Sequence, residues 1–192
     1  MRSALVLVGN VPSDDGTLAP DSGTPPLRRL AEDLPASIDE LVVSCTTDQR
    51  DTVAEALDGI DYRPAVEPGT EYRTIAALRT GFRIATGSSV AVFDAEHGRI
   101  DHGLLTALFD AVDTAAVPQS EGYLYPLYGV YDRYTGRQAA ERTLAIGSDR
   151  LYDLLAQIDP VIVDADAADA TAALSTSGSR TETTTVIGDS GR

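Results

Sequence analysis

Asp94 stands where a metal-binding carboxylate is expected in an α/β protein. It follows the apolar run at residues 90–93, whose length and composition are typical of a strand covered on both faces. Ligands of open α/β sheets bind beyond the carboxyl ends of the strands, and Mg²⁺ is held by one or two carboxylates plus substrate phosphates. Asp94 is therefore predicted to hold Mg²⁺ against a nucleotide, and the alternative is a helix cap or a loop carboxylate. Glu96 and Asp101 lie in the same loop and either assist or are simply solvated.

A second candidate for ligand binding is the loop that follows the apolar run at residues 4–8. Gly9 and Asn10 end that run, and a polar stretch containing Gly16 continues to residue 22. Backbone N–H groups of a glycine-bearing turn before a helix can hold phosphate. The alternative is a flexible connection between a strand and a helix.

Composition limits the classes of function. The 192 residues carry 30 acidic and 15 basic side chains, a formal net charge of −15, and every basic residue is Arg. Such a surface repels nucleic-acid phosphate, and high acidity is a device of halophiles. We expect a cytoplasmic protein from a salt-rich cell, or else an ordinary acidic cytosolic protein. No apolar run approaches the ~20 residues of a membrane helix. The N-terminus does not resemble a signal peptide. Cys45 is the single cysteine, which excludes an intramolecular disulfide.

Other polar and aromatic clusters give weaker predictions. His97, His102 and Cys45 make a poor zinc set, because zinc takes three or four N or S ligands. The Rossmann and P-loop motifs are both missing from the sequence. Five tyrosines lie within twelve residues: Tyr123, Tyr125, Tyr128, Tyr131 and Tyr134. They are predicted either to line a pocket for a flat ring system or to be half-buried strand residues. Three arginines recur at helical spacing: Arg73, Arg79 and Arg83. They are predicted either to bind phosphate or to be solvated.

Strand-like and helix-like segments alternate along the chain. Strands are predicted at 4–8, 41–45, 62–66, 90–93, 115–118 and 161–163, with an edge or antiparallel strand over 125–131. Helices are predicted at 25–34, 48–57 (capped by Asp48), 74–85, 103–112 (capped by Asp101), 138–144 and 149–158. This order predicts an α/β fold with a mostly parallel sheet and helices on both faces. Residues 1–174 form the predicted domain and residues 175–192 a flexible tail rich in Ser, Thr and Gly.

Residues 3–165 resemble the molybdenum cofactor guanylyltransferase (MobA-like nucleotidyltransferase) family. The run at 7–10 lies where the family has L-A-G-G, and the run at 23–27 resembles its G-x-P-L segment. The stretch at 92–95 resembles the family's C-D-x-P, and the stretch at 147–150 its G-x-x-R turn. The most specific match is 116–131, which resembles the family's V-P, G and Q-P-L-x-A-x-Y run.

The resemblance implies a three-layer, nucleotide-diphospho-sugar transferase-like fold and transfer of GMP from GTP to molybdopterin. Asp94 would bind Mg²⁺, Gly9, Asn10 and Gly16 would supply loop backbone to the phosphates, and Glu67 would face the guanine edge. Pro126 and Leu127 would shape the acceptor side, and no residue is assigned as a catalytic acid, base or nucleophile. Molybdoenzymes or other proteins of the cofactor pathway are the implied partners.

The chain departs from the family signature L-A-G-G-x-S-x-R-M-G-x-D-K at its cationic positions. Asn10 replaces the second Gly, Asp14 stands at the Arg position, and the Lys has no counterpart. An Arg such as Arg28 would then have to reach the phosphates. Ser44 and Thr46 stand where the family has asparagines. Two alternatives therefore remain open: a catalytically degenerate binding or partner protein, or a nucleotidyltransferase for another phosphorylated acceptor.

Overall fold

A computed structural model of the chain describes residues 1–9, 23–68, 73–96, 99–165, 174 and 181–182. The strands are β1 (Arg2–Leu7), β2 (Glu40–Thr46), β3 (Arg63–Glu67), β4 (Ser89–Asp94), β5 (Ala115–Ser120), β6 (Tyr123–Leu124), β7 (Val130–Asp132), β8 (Val161–Asp164) and β9 (Thr181–Glu182). The helices are α1 (Pro26–Glu32), α2 (Arg50–Ala56), α3 (Thr74–Ile84), α4 (His102–Ala111), α5 (Arg133–Ala145) and α6 (Leu151–Leu155), and a 3₁₀ turn spans Pro126–Tyr128. The predicted alternation of strands and helices is confirmed.

The strands form one mixed sheet in the order β3-β2-β1-β4-β7-β5-β6-β9, and β8 pairs with β5. Strands β1 to β4 are mutually parallel, and β8 is parallel to β5. Strand β7 is antiparallel to both of its neighbours, β4 and β5. Two antiparallel steps restore the direction, so β5 runs parallel to β4 and their carboxyl ends share one edge of the sheet.

Helices cover both faces of the sheet and give it two apolar cores. Alternate side chains of each strand point to opposite faces. Apolar residues of α1, α2 and α4 pack on one face, which includes Val6, Val43 and Phe93. Those of α3, α5 and α6 pack on the other, which includes Leu5 and Val92. The prediction of a three-layer α/β fold is confirmed, and no helix in the described ranges is long and apolar enough to cross a bilayer.

Close contact between α3 and the sheet depends on the small residue at position 81. A Cβ atom at Gly81 would lie 2.4 Å from the Leu5 side chain of β1. The phenyl ring of Phe82, the next residue of α3, packs edge-on against Tyr131 with ring centroids 5.7 Å apart. Helix α3 is therefore fixed against the centre of the sheet. The N-terminus of α3 lies near the carboxyl edge of the sheet, where ligands bind in this class of fold.

The structure corrects the prediction of a strand over residues 125–131. That segment divides into the 3₁₀ turn and β7, and β7 lies inside the sheet between β4 and β5 rather than at an edge. Pro126 opens the turn, because its fixed φ suits a helical first position and its nitrogen carries no donor for a strand ladder. The antiparallel direction of β7 was one of the two predicted options, an edge strand or an antiparallel strand, and is confirmed.

Two further expectations concern a helix cap and the end of the chain. Asp48 does not cap α2: the N-cap is Gln49, and no side chain accepts a hydrogen bond there. The predicted tail at 175–192 lies outside the described residues except for Thr181–Glu182, which pairs with β6. Leu174, at the predicted boundary, is buried. The division into a domain and a tail stays a prediction.

Candidate functional site

Asp94 and Gly9 lie side by side at the carboxyl edge of the sheet. Leu7 of β1 pairs with Asp94 of β4 in parallel register, and the Ala95 N–H donates to the Leu7 carbonyl at 2.8 Å. Gly9 follows two residues after Leu7 and has φ +76°, a conformation that residues with a Cβ seldom adopt. The structure thus brings together the predicted metal carboxylate and the first described residue of the predicted phosphate loop.

The Asp94 carboxylate also closes a turn in its own loop. Its Oδ1 accepts the Glu96 N–H at 3.1 Å, which orients the side chain at the strand end. Asp101, by contrast, uses its Oδ1 to cap α4 through the Leu104 N–H at 2.8 Å, as the sequence predicted. No cluster of three His, Cys, Asp or Glu side chains suited to a metal exists among the residues that the structure describes. Asp94 offers one carboxylate at this edge, and Mg²⁺ is commonly held by one or two carboxylates together with substrate phosphates and water.

The far end of the Asp94 loop is anchored to two other elements. The Ile100 N–H donates to Asp33 Oδ2 at 2.8 Å, and the Asp101 N–H donates to the Tyr128 hydroxyl at 2.7 Å. Tyr128 is buried and packs edge-on against Phe93 with ring centroids 5.2 Å apart. Burial, opposed in part by the Asp101 hydrogen bond, raises the pKa of Tyr128 well above that of a free phenol. The hydroxyl stays protonated, and the loop has a fixed support.

Glu67 ends β3 at the same edge and is buried without full satisfaction. Only 7% of the residue is exposed, and its Oε1 has no hydrogen-bond partner among the residues that the structure describes. It lies opposite Thr46 in the register of β2 and β3. The nearby Ser44 hydroxyl on β2 is likewise buried and without a partner. Buried polar groups in native proteins are nearly always paired, so this carboxylate oxygen is an exception.

Gln49 connects the end of β2 to Gly9 and was missed by the sequence analysis. Its Oε1 accepts the Thr46 N–H at 3.0 Å, and its Nε2 donates to the Gly9 carbonyl at 3.2 Å. Only 5% of the residue is exposed. Its place within the polar run after β2 was the available signal, but the capping preference of Asp48 predicted the helix start one residue earlier.

The N-terminus of α3 is closed by a carboxylate from a distant part of the chain. Asp149, in the turn before α6, accepts the Thr74 N–H at 3.1 Å and the Ile75 N–H at 2.9 Å. An anion at a helix N-terminus satisfies free N–H groups and complements the helix dipole. This contact brings Arg150, the N-cap of α6, close to Arg73, the residue before α3.

Comparison with known proteins identifies the family. No family model matches the chain. It is 30% identical over 169 residues to a probable molybdenum cofactor guanylyltransferase of Haloferax mediterranei, covering 85% of this chain and 80% of that one. It is 32% identical over 155 residues to the protein of the same description from Natronomonas pharaonis, covering 80% and 77%. The chain belongs to the molybdenum cofactor guanylyltransferase family.

Solved structures share the fold of this guanylyltransferase-family protein. Molybdopterin-guanine dinucleotide biosynthesis protein A from Archaeoglobus fulgidus superposes with a TM-score of 0.68 at 18% identity, covering 89% of this chain and 87% of that one. The 2-C-methyl-D-erythritol 4-phosphate cytidylyltransferase from Thermus thermophilus gives 0.62 at 17% identity, covering 84% and 87%. The predicted nucleotide-diphospho-sugar transferase fold is confirmed.

The 3₁₀ turn within the segment of most specific family match is buried. Pro126 and Leu127 both belong to the buried 3₁₀ turn, and Leu127 packs in the core on the α3 face. The Tyr131 hydroxyl donates to the Pro126 carbonyl at 2.7 Å. A role for these two residues on the acceptor side stays a prediction, and their burial shows that they also hold the turn in place.

Several other predicted site residues lie elsewhere or outside the described ranges. Asn10, Asp14, Gly16 and His97 belong to segments that the structure does not describe. The suggestion that Arg28 reaches the phosphates is wrong: its guanidinium binds Glu32 and the carbonyls of Ala56 and Asp58, at the far end of α2. The other predicted candidates have these placements: His102 Nε2 lies 2.8 Å from the Asp33 carbonyl, Tyr125 and Tyr131 are buried, and Tyr134 is exposed.

Proposed function

We propose that this protein transfers GMP from GTP to the phosphate of molybdopterin in the presence of Mg²⁺. Membership of the guanylyltransferase family supports the reaction class. The observation that carries the proposal is the register of β1 and β4, which puts Gly9 and Asp94 at adjacent strand ends. A nucleoside triphosphate with its cation requires a phosphate-binding turn and a metal-binding carboxylate at neighbouring strand ends.

In this proposal a phosphate oxygen of molybdopterin attacks the α-phosphorus of GTP. A new P–O bond forms there, the bond to the β-phosphate bridge breaks, and pyrophosphate leaves. Such a displacement needs little proton chemistry from side chains, so positioning and charge neutralisation carry the catalysis. Asp94 would hold Mg²⁺, which supplies charge neutralisation when bound, and the Gly9 turn would orient the phosphates.

Glu67 is proposed to contact the base. Its buried Oε1 lacks a donor within the described part of the chain, and guanine offers the exocyclic amino group as a donor. Adenine and cytosine present donors in a different arrangement, so this contact would favour guanine. The cost of leaving a buried carboxylate oxygen unpaired would then be recovered only when the correct nucleotide binds.

Arginines are the available source of fixed positive charge in a chain without lysine. Arg73 and Arg150 are exposed, and neither forms an ion pair within the described part of the chain. The Asp149 contact places both of their backbones at the N-terminus of α3, on the Glu67 side of the ligand edge. We propose that they replace the cations that the signature loop lacks.

The test is the Asp94→Asn variant, which keeps the shape of the side chain and removes its charge. Calorimetry with GTP and Mg²⁺ in concentrated KCl should show binding to the wild type and at least tenfold weaker Mg²⁺-dependent binding to the variant. Pyrophosphate release with molybdopterin should fall by about 10²-fold or more, the scale of losing one electrostatic group. Asp113→Asn, at an exposed position after α4, is the control and should change either quantity by less than threefold. Equal binding by wild type and Asp94→Asn would contradict the assigned role.

The second candidate is a non-catalytic binding or partner protein of cofactor delivery, favoured by Asp14 at the Arg position and by the absence of lysine. It predicts GTP binding without pyrophosphate release at any salt concentration. Turnover by the wild type would exclude it. A thermal-shift screen of nucleotides against phosphorylated acceptors separates molybdopterin from other acceptors, because each true ligand raises the melting temperature.

A further inference from the structure

The Gly9 turn is held by a side chain that belongs neither to its own strand nor to its own loop. Gln49 lies between β2 and α2, forty residues along the chain, and its Nε2 donates to the Gly9 carbonyl at 3.2 Å. The backbone of the preceding residue is also bonded to β2, because the Val8 N–H donates to the Ser44 carbonyl at 3.0 Å. The ladder between β1 and β2 is thus continued past the end of β1 by one side-chain amide.

The Gln49 amide is itself fixed in orientation. Its Oε1 accepts the Thr46 N–H at 3.0 Å, so the opposite end of the amide must present Nε2 to Gly9. The side chain is almost completely buried, which removes competition from water. Glutamine is the side chain that offers one acceptor and two donors at this reach without charge. The carboxylate of Glu would repel the Gly9 carbonyl, and Met would leave two backbone groups unpaired.

We propose that Gln49 is a positioning residue for nucleotide binding, which it controls by fixing the carbonyl of Gly9. A peptide group is planar, so holding its carbonyl restricts the whole first peptide of the loop. Gly9 at φ +76° has the conformational freedom to turn its carbonyl in other directions, so an external restraint is needed. This inference rests on the proposed function, in which the Gly9 turn orients the phosphates of GTP.

The experiment compares Gln49→Met and Gln49→Glu with the wild type by calorimetry, using GTP with Mg²⁺ at pH 7.5 and in concentrated KCl. Both variants should bind GTP about tenfold more weakly, the scale of one buried hydrogen bond and its unpaired partner. Gln157→Met, an exposed glutamine with no side-chain hydrogen bond in the described structure, should bind as the wild type does. Circular dichroism of each variant in the same buffer reports whether the fold is retained.

A pH series distinguishes positioning from simple damage to the fold. Protonated Glu has the shape of Gln and an O–H donor, so Gln49→Glu should regain wild-type affinity as the pH is lowered toward 5, whereas Gln49→Met should not. The ratio of variant to wild-type affinity removes the titration of GTP itself. Wild-type affinity in folded Gln49→Met, or no recovery of Gln49→Glu at low pH, would overturn the inference. Absence of GTP binding by the wild type would instead defeat the proposed function.

Discussion

At the scale of single residues, Glu67 combines burial with an oxygen, Oε1, that has no hydrogen-bond partner in the described ranges of the chain. A buried polar atom without a hydrogen bond lowers the stability of the folded state. Binding sites are where proteins keep such groups, at the expense of stability.

Glu67→Gln should therefore stabilise the free protein while weakening GTP binding. Replacing the unpaired carboxylate by a neutral amide is expected to raise the free energy of unfolding by about 1 kcal/mol. The affinity for GTP should fall, because the amide has one acceptor oxygen fewer for the guanine donors. Thermal unfolding without nucleotide and calorimetry with GTP measure the two effects. Exposed Glu55→Gln is the control, and a variant that is destabilised or binds GTP normally would contradict the assignment.

The residue types at the site were predictable where they follow a strand directly. Asp94 was predicted because a carboxylate after an apolar run marks the ligand edge of a parallel sheet, whereas Glu67 was predicted only from the family resemblance. Gln49 and Asp149 were not found, because each acts on a residue at least forty positions away along the chain. No local pattern encodes such a contact, and only the fold shows that it exists.

At the scale of elements, Asp149 joins α3 to the turn that precedes α6. Asp149→Ala should reduce the free energy of unfolding by about 1–2 kcal/mol, the effect of losing a capping carboxylate. Displacement of the α3 N-terminus should also weaken GTP binding, since Glu67 and Arg73 lie at that end of the helix. Urea unfolding in concentrated KCl measures the first effect. Exposed Asp113→Ala should leave stability within about 0.5 kcal/mol of the wild type.

The opposite edge of the sheet is held by Glu40, which bridges strands at their amino ends. Its carboxylate accepts the Ser3 hydroxyl at 2.6 Å, the Thr86 N–H at 2.8 Å and the Arg63 guanidinium at 2.7 Å. Burial alone would raise the pKa of Glu40, but these hydrogen bonds together lower it from 4.5 to about 2.

A depressed folded-state pKa makes the contribution of Glu40 dependent on pH. Its stabilisation is fully present above the unfolded pKa of 4.5 and is lost as the pH falls toward about 2. Glu40→Gln should lower the free energy of unfolding by on the order of 2 kcal/mol at pH 7. The difference from the wild type should shrink steadily between pH 5 and pH 2. Urea titrations across that range test this, and a constant difference would contradict it.

Element order was predictable from the sequence, whereas the place of β7 was not. Apolar runs and helical periodicity identified the six helices and the parallel strands of the described residues. Most ends agree within a few residues, but α5 begins at Arg133, five residues before its predicted start. The position of β7 between β4 and β5 depends on pairing with strands on both sides. A three-residue strand with no distinctive period carries no information about those partners.

At the scale of the whole molecule, the net charge of −15 sets the response to salt. Exposed carboxylates repel one another, and the Debye length falls from about 10 Å at 0.1 M salt to about 3 Å at 1 M. The melting temperature of the full chain should therefore rise by about 5 °C or more between 0.1 M and 2 M KCl. A variant that neutralises three exposed acids of α2 and its following loop should show a smaller rise: Asp51→Asn, Glu55→Gln and Asp58→Asn. Equal salt responses would contradict an electrostatic origin.

The reversed direction of β7 has a consequence for the order in which the chain folds. Residues 115–132 return on themselves without a crossover helix, so β5, β6 and β7 pair over short loops. Strand β1 pairs with β4, which lies more than eighty residues later in the chain. Short loop closures cost less entropy and form sooner than long ones. We expect this compact meander to gain amide protection early in refolding and the β1–β4 pairing to follow, so that the edge carrying Gly9 and Asp94 is among the last parts of the protein to mature.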